Sequence, residues 1–161
     1  MIGERYSAAV CMKGHFVNSA LEYNRADVAS FCRQCGAPVI RACPHCSCEI
    51  GGGYRDAIFN PKQPDPFCSH CGIPYPWADR EAIVNHLQNL LLYNDNLDQA
   101  QQLEVIEKLA ILSTPNESER DRVDAGRKIM TLVPKAWAVA VPVLQSVLTA
   151  ELKTKLGLSP A

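Results

Sequence analysis

The stretch CRQCGAPVIRACPHC, residues Cys32–Cys46, decides the fold of the first half of the chain, because it holds four cysteines close together. It contains two C-x2-C pairs, a spacing in which a tight turn directs both sulfurs at one metal ion. A third such pair follows at Cys68 and Cys71, and Cys11 with His15 supplies a fourth pair of potential ligands. The stretch therefore raises the question whether its two pairs share one metal ion or belong to two.

Linker lengths answer that question. Pairs that share a zinc usually stand on separate hairpins, about 12 to 20 residues apart. Only seven residues separate the two pairs of the opening stretch, whereas sixteen separate His15 from Cys32 and twenty-one separate Cys46 from Cys68. We therefore predict two tetrahedral Zn²⁺ sites, the first formed by Cys11, His15, Cys32 and Cys35 and the second by Cys43, Cys46, Cys68 and Cys71.

Both linkers have the composition of β-hairpins. Residues 16–31 carry Asn and Asp turn residues, and residues 47–67 carry the run Gly51–Gly53 followed by three prolines. This run lacks the Lys-Ser/Thr ending of a phosphate loop, so we interpret it as a hairpin tip or bulge. The APVIRA segment between the two pairs is predicted to run as a strand. Two such zinc sites in succession form a double zinc ribbon, and four protein ligands per ion favour a structural role over a catalytic one.

Some assignments keep an alternative. Cys48 is either a bystander thiol on a hairpin strand or a replacement for Cys46, which precedes Ser47 where the other pairs precede glycine. His70 is the alternative to His15. The CPHC motif resembles the active site of oxidising thioredoxin-like enzymes, but SCEIGGGY after it cannot begin the helix that such a site needs. With no spaced Ser, His and Asp set either, we predict that the protein is not an enzyme.

The second half has no cysteine and is predicted to form a bundle of about four helices. Its N-terminal signals are Asp79 for the first helix, the capping-box pair Asp98 and Gln101 for the second, and Thr114–Glu117 for the third. The last helix is predicted over residues 134–157, bent at Pro142 and ending at Gly157. The chain is thus predicted to be α+β, with a double zinc ribbon at 1–78 and a helical bundle at 79–161.

The apolar character of the 134–157 helix allows three interpretations. It is the centre of the bundle, an interface for a partner or for a second copy of the chain, or a membrane contact. Its uncharged run of fifteen residues falls short of the roughly 20 that span a bilayer, which disfavours the membrane.

Composition limits the remaining function classes. The formal net charge is -1, and seven coordinating thiolates would outweigh two divalent ions, which disfavours nucleic acid as the partner. A local patch of Arg25, Arg33, Arg41 and Arg55 keeps that alternative open. The first ten residues lack the pattern of a secretory signal, so we expect a cytoplasmic protein, where thiols stay reduced and bind metal. The expected function is that of a non-enzymatic adapter that binds another protein or itself.

The segments CMKGH, FCRQCG, ACPHC and FCSHCG, the last followed by PYPW, together resemble a group of functionally uncharacterised bacterial proteins. Proteins of that group begin with a double zinc ribbon and end in helices. The resemblance covers residues of about 10 to 78, and the helical half matches only in general character. It implies the ligand roles assigned above and a cytosolic bacterial setting, and it implies no activity.

Overall fold

The structure is a computed structural model that describes residues 4–23, 25, 28–55, 58, 60–93 and 95–158. Its architecture is α+β, as predicted: a small antiparallel sheet with the cysteine-rich turns comes first, and helices follow. The chain divides into two compact units, Met1–Asp79 and Arg80–Ala161, which we call the ribbon unit and the bundle unit.

One central strand organises the ribbon unit. The strands are β1 (Arg5–Cys11), β2 (Phe16–Asn18), β3 (Val39–Ile40) and β4 (Ile50–Tyr54), and β1 pairs antiparallel with each of the other three. The end of β1 pairs with β2 and β3, and its beginning pairs with β4. The APVIRA segment contains β3, so the predicted strand is present but spans only Val39 and Ile40.

The glycine run lies inside β4, so the hairpin-tip interpretation is wrong. The bulge interpretation agrees with the strand register, because Arg5 pairs with Tyr54 and Ser7 with Gly51, which leaves one extra residue on β4. Close approach of other groups explains why these positions are glycines. Arg5 Nε donates to Gly52 O at 2.9 Å, and a Cβ on Gly51 would lie 2.7 Å from Arg5 Cζ. A Cβ on Gly52 would lie 2.2 Å from Ser19 O. The pairing of β1 with β4 is also irregular between Arg5 and Ser7, which accommodates this crossing side chain.

The apolar core of the ribbon unit is small. Its buried residues are Ala8, Val10, Cys43, Ile50, Cys68 and Tyr75. Two of these six are predicted metal ligands, and one is an alanine. A core of this size gives little hydrophobic stabilisation, so the unit needs cross-links of another kind.

The bundle unit contains five described helices, the last of them a single short segment. They are α1 (Arg80–Tyr93), α2 (Gln99–Ser113), α3 (Glu119–Leu132), α4 (Pro134–Leu144) and α5 (Ala150–Lys155). The capping box of α2 is present in both directions between Asp98 and Gln101, as predicted. The N-cap of α3 is Ser118, whose hydroxyl accepts from Asp121 N at 3.1 Å, so the start predicted at Thr114 is four residues early.

The prediction of one helix over residues 134–157 is wrong, because α4 ends at Leu144 and α5 begins at Ala150. Pro142 lies in the last turn of α4, where a proline cannot donate the backbone hydrogen bond that continues a helix. Thr149 then caps a new helix by accepting from Leu152 N at 3.4 Å. The predicted stop at Gly157 is confirmed by its φ of 70°.

Helix α4 is partly exposed to solvent, although its sequence is almost entirely apolar. Ala136, Trp137, Ala140, Val143 and Leu144 are buried, whereas Val139 on the opposite face is 52% exposed. The helix therefore buries one face, as an amphipathic helix does. In the described part of the chain, every helix is too short or too polar to cross a bilayer.

Candidate metal centre

The first cluster, which we call site 1, brings together Cys11, His15, Cys32 and Cys35, whose potential ligand atoms all lie within 4.8 Å of one another. Cys11 Sγ lies 3.8 Å from Cys35 Sγ and 3.4 Å from His15 Nδ1. His15 Nδ1 lies 3.7 Å from Cys32 Sγ. Strand β1 ends at Cys11, so the sheet itself positions the first of these side chains.

The second cluster, site 2, brings together Cys43, Cys46, Cys68 and Cys71 within the same 4.8 Å limit. The Sγ atoms of Cys43 and Cys71 lie 3.8 Å apart, and those of Cys46 and Cys68 lie 3.6 Å apart. Cys43 and Cys68 belong to the same buried core cluster as Ala8 and Val10 of β1. Site 2 is thus built into the apolar core, to which the strand that ends in site 1 also contributes.

The spacing of the donor atoms fits a tetrahedral metal ion. Bonds of about 2.3 Å from a metal to sulfur, the length found in zinc sites, place the sulfurs of a tetrahedron about 3.8 Å apart. The described cysteine sulfurs lie 3.6 and 3.8 Å apart, far beyond the roughly 2.05 Å of a disulfide. All eight cysteines are free. Each cluster can therefore hold one metal ion with four protein ligands.

The three C-x2-C turns share one backbone geometry. In the first, Cys32 N donates to Ala37 O at 2.8 Å and Gly36 N donates back to Cys32 O at 2.8 Å. The corresponding bonds of the other turns join Cys43 with Cys48 and Ser47, and Cys68 with Ile73 and Gly72. This repeated turn aims the two sulfurs of each pair in the same direction.

Burial raises the pKa values of the Cys32 and Cys68 thiols, whereas backbone hydrogen bonds lower them. Burial raises the pKa of Cys32, but backbone N–H groups of Gln34 and Cys35 bond to its sulfur, and the net pKa is about 6. The same balance within the third turn lowers the pKa of Cys68 to about 6. Burial and the neighbouring thiols raise the pKa of Cys71 to about 12. Each cluster thus contains one thiol that favours the thiolate form, which metal binding requires.

The alternative ligands, Cys48 and His70, lie outside both clusters. Cys48 lies outside the four-residue cluster of site 2, and its carbonyl accepts from Cys43 N at 2.8 Å. His70 is exposed and belongs to neither cluster of the described residues. The CPHC motif forms a turn that leads into β4 and not into a helix, which differs from the redox arrangement.

Ser47 occupies a backbone conformation that glycine adopts in the other two turns. Its φ is 61°, and the φ values of Gly36 and Gly72 are 71° and 72°. A side chain in this left-handed region costs roughly 1 to 2 kcal/mol. The second turn therefore carries strain that the other two avoid.

We expect Ser47→Gly to raise the free energy of unfolding of the metal-loaded protein by about 1 kcal/mol, because it removes this strain. The matched control is Gly36→Ser. A Cβ at Gly36 meets nothing within 4 Å, so the reverse change introduces the same strain without a clash and should lower stability. Denaturant titration of both variants at saturating metal checks the pair, and an unchanged or lower stability of Ser47→Gly would contradict the assignment.

Two aromatic residues next to site 2 were not among the predicted site residues. Tyr75 is buried in the ribbon core in one cluster with Cys43 and Cys68. Trp77 stacks on Tyr75 with ring centroids 4.7 Å apart. The signal for both was the PYPW segment directly after the third pair, where two aromatic residues alternate with prolines.

The fold and the two clusters define the class of protein: a small α+β chain with a ribbon of two four-ligand metal sites followed by helices. The chain belongs to the bacterial family described as "Uncharacterized protein conserved in bacteria (DUF2321)", whose model matches residues 4–149. The predicted resemblance to bacterial proteins of this kind is thereby confirmed. Searches of curated proteins and of solved structures found no match.

Proposed function

We propose that the protein is a zinc-stabilised, non-enzymatic adapter of the bacterial cytoplasm whose ribbon unit binds another protein. One observation carries the proposal: each metal site gathers four protein donors. A tetrahedral ion with four protein ligands has no open position for water or substrate, which is the property of structural zinc sites. The proposed role of the two metal sites is therefore to stabilise the fold of the ribbon unit and the surface that binds the partner.

Zinc is the ion that best suits the two donor sets. Thiolate sulfur is a soft ligand that selects zinc, copper(I) and iron–sulfur centres, and imidazole together with thiolates in a tetrahedron is typical of zinc. Site 1 has three sulfurs and one imidazole, and site 2 has four sulfurs. A reducing cytoplasm keeps these thiols available, so we place the protein there.

Exposed apolar side chains beside site 1 support a protein partner. Phe31 is 63% exposed and Met12 is 37% exposed, and each directly adjoins a ligand cysteine in the sequence. Backbone contacts place both next to exposed Pro38, which pairs with Phe31 and accepts from Met12 N at 2.9 Å. Aromatic residues and methionine are enriched at protein interfaces. We call these three residues the site 1 patch.

Two of the four arginines in the predicted basic patch, Arg25 and Arg55, are ion-paired, which favours a protein partner over nucleic acid. Arg25 pairs with Glu49 at 3.2 Å, and Arg55 pairs with Glu4 at 2.9 Å. Phosphate binding needs cations whose charge is not already compensated. For self-association, the exposed face of α4 offers Val139 as its large apolar residue, which is a small surface for a stable dimer.

The proposal is tested by cross-linking the tagged protein to its partners in its bacterial host. We expect one partner to be recovered with the wild type and lost with Phe31→Ser, while both proteins carry two zinc ions per chain. Tyr93→Ser is the matched control, because Tyr93 is 86% exposed on α1 and should not change the recovery. Equal recovery with Phe31→Ser, or recovery of nothing beyond an unrelated tagged protein, would refute the adapter role.

A further inference from the structure

We infer that the stacked pair Tyr75 and Trp77 couples the two metal sites, so that an ion in one site raises the affinity of the other. The inference rests on the proposed zinc module but not on its protein partner. It assigns a role to two side chains that lie outside both ligand sets.

The first contact of this pair reaches site 2. Tyr75 is buried in the same core cluster as Cys43 and Cys68, two ligands of site 2. Side chains packed next to a ligand orient it and adjust its affinity for the metal. Occupation of site 2 should therefore constrain the position of the Tyr75 ring.

The second contact reaches site 1. Trp77 lies so close to Gly14 that a Cβ there would be 2.9 Å from Trp77 Cβ and 3.1 Å from Trp77 Cγ. Gly14 has a φ of 84° and donates from N to Cys11 O at 2.8 Å, so it shapes the turn between Cys11 and His15. Trp77 therefore packs closely against the turn that carries Cys11 and His15, two ligands of site 1.

Stacking and hydrogen bonds hold the two aromatic residues together as one body. Their ring planes differ by 17° and their centroids lie 4.7 Å apart. Trp77 Nε1 donates to Asp65 O at 2.9 Å, and Tyr75 N donates to Pro66 O at 2.9 Å. Both bonds anchor the pair to the segment directly before the Cys68 turn. A continuous set of contacts therefore runs from Cys68 through Tyr75 and Trp77 to Gly14.

The coupling is measured with a thermodynamic cycle in which cobalt(II) is the probe. Cys71→Ser disables site 2, and the cobalt affinity of site 1 is compared with and without that change by competition with a chelator. We expect the affinity of site 1 to fall by roughly 5- to 150-fold, the usual range of coupling between sites. Linkage requires the same factor for site 2 when Cys35→Ser disables site 1.

The role of the aromatic pair is tested in the same cycle with Trp77→Leu, which should bring the factor close to one. Ile50→Val is the control, because Ile50 is a buried neighbour in the same core but takes no part in the contacts to Gly14. It should keep the wild-type factor. Coupling that arises only from folding would instead leave the factor well above one in Trp77→Leu as in Ile50→Val, and that result would overturn the inference.

Tyr75→Phe keeps the stacked ring and removes only the hydroxyl. Because ring packing carries the coupling, we expect Tyr75→Phe to keep the wild-type factor, whereas Tyr75→Leu should bring the factor close to one. A wild-type factor in Tyr75→Leu, or a coupling factor of one in the wild-type cycle, would refute the inference. A protein that binds fewer than two ions would refute the zinc module itself, so the two failures are distinguishable.

Discussion

Removal of metal from the reduced protein is expected to unfold the ribbon unit and to leave the helices of the bundle unit formed. A structural zinc contributes roughly 10 kcal/mol or more to folding at neutral pH, whereas the core cluster of the described ribbon unit is small, and two of its six buried residues are predicted ligands. The bundle unit has its own core, with Leu87, Leu91, Val105 and Leu109 nearly or fully buried. Its stability should therefore not depend on metal.

Hydrogen exchange followed by mass spectrometry checks this result segment by segment. In the presence of a chelator and a reductant, the amides of β1 should exchange as fast as those of an unfolded chain, and those of α2 should stay protected. Added zinc should restore the protection of β1, and magnesium, which prefers oxygen ligands, serves as the control ion. Continued protection of β1 in metal-free protein would contradict the account.

Substitution of a single ligand is expected to reduce the metal content from two ions per chain to one. Cys35→Ser should empty site 1 and Cys71→Ser should empty site 2, because the loss of one thiolate leaves each cluster with three donors. His15→Asn should also lose one ion. Native mass spectrometry of the reduced protein counts the ions directly, and it shows which fraction of the chains is still folded.

Matched controls for these substitutions are present in the chain. Cys48→Ser and His70→Asn alter the alternative ligands, which lie outside both clusters, and each should keep two ions. Loss of one ion in Cys48→Ser with two retained in Cys46→Ser would show that the second turn uses a different cysteine. Loss in His70→Asn but not in His15→Asn would likewise overturn the assignment of site 1.

The pairing of the ligands was predictable because it depends on chain geometry alone. Seven residues between Cys35 and Cys43 are too few for a hairpin that returns to the same ion. The glycines after Cys35 and Cys71 likewise indicated the left-handed backbone that the turns require, and both have positive φ. Local rules of this kind apply before any tertiary contact is known.

Features that depend on tertiary packing were not predictable. The glycine run is typical of a hairpin tip, but it lies in β4, where it pairs with β1 and the side chain of Arg5 crosses it. The uniformly apolar segment after Pro134 is typical of one buried helix, but Pro142 and the cap at Thr149 divide it. Arg122 is buried, and its Nε donates to Leu112 O at 2.9 Å. No local sequence pattern indicates this hydrogen bond.

The aromatic contacts near the metal sites were only partly predictable from the sequence. The PYPW segment marks Tyr75 and Trp77 as unusual, but which ligands they touch depends on how the third turn folds back onto β1. The packing of Tyr75 with Cys43 and Cys68 and the approach of Trp77 to Gly14 are therefore results of the structure.

X-ray absorption at the zinc edge of the reduced protein, purified without added metal, shows whether both clusters are closed zinc sites. We expect two zinc ions per chain with a shell of seven sulfurs and one nitrogen in total, at about 2.3 Å for sulfur and about 2.0 Å for nitrogen. A shell that includes oxygen from water, or a folded protein with one ion or none, would contradict this expectation.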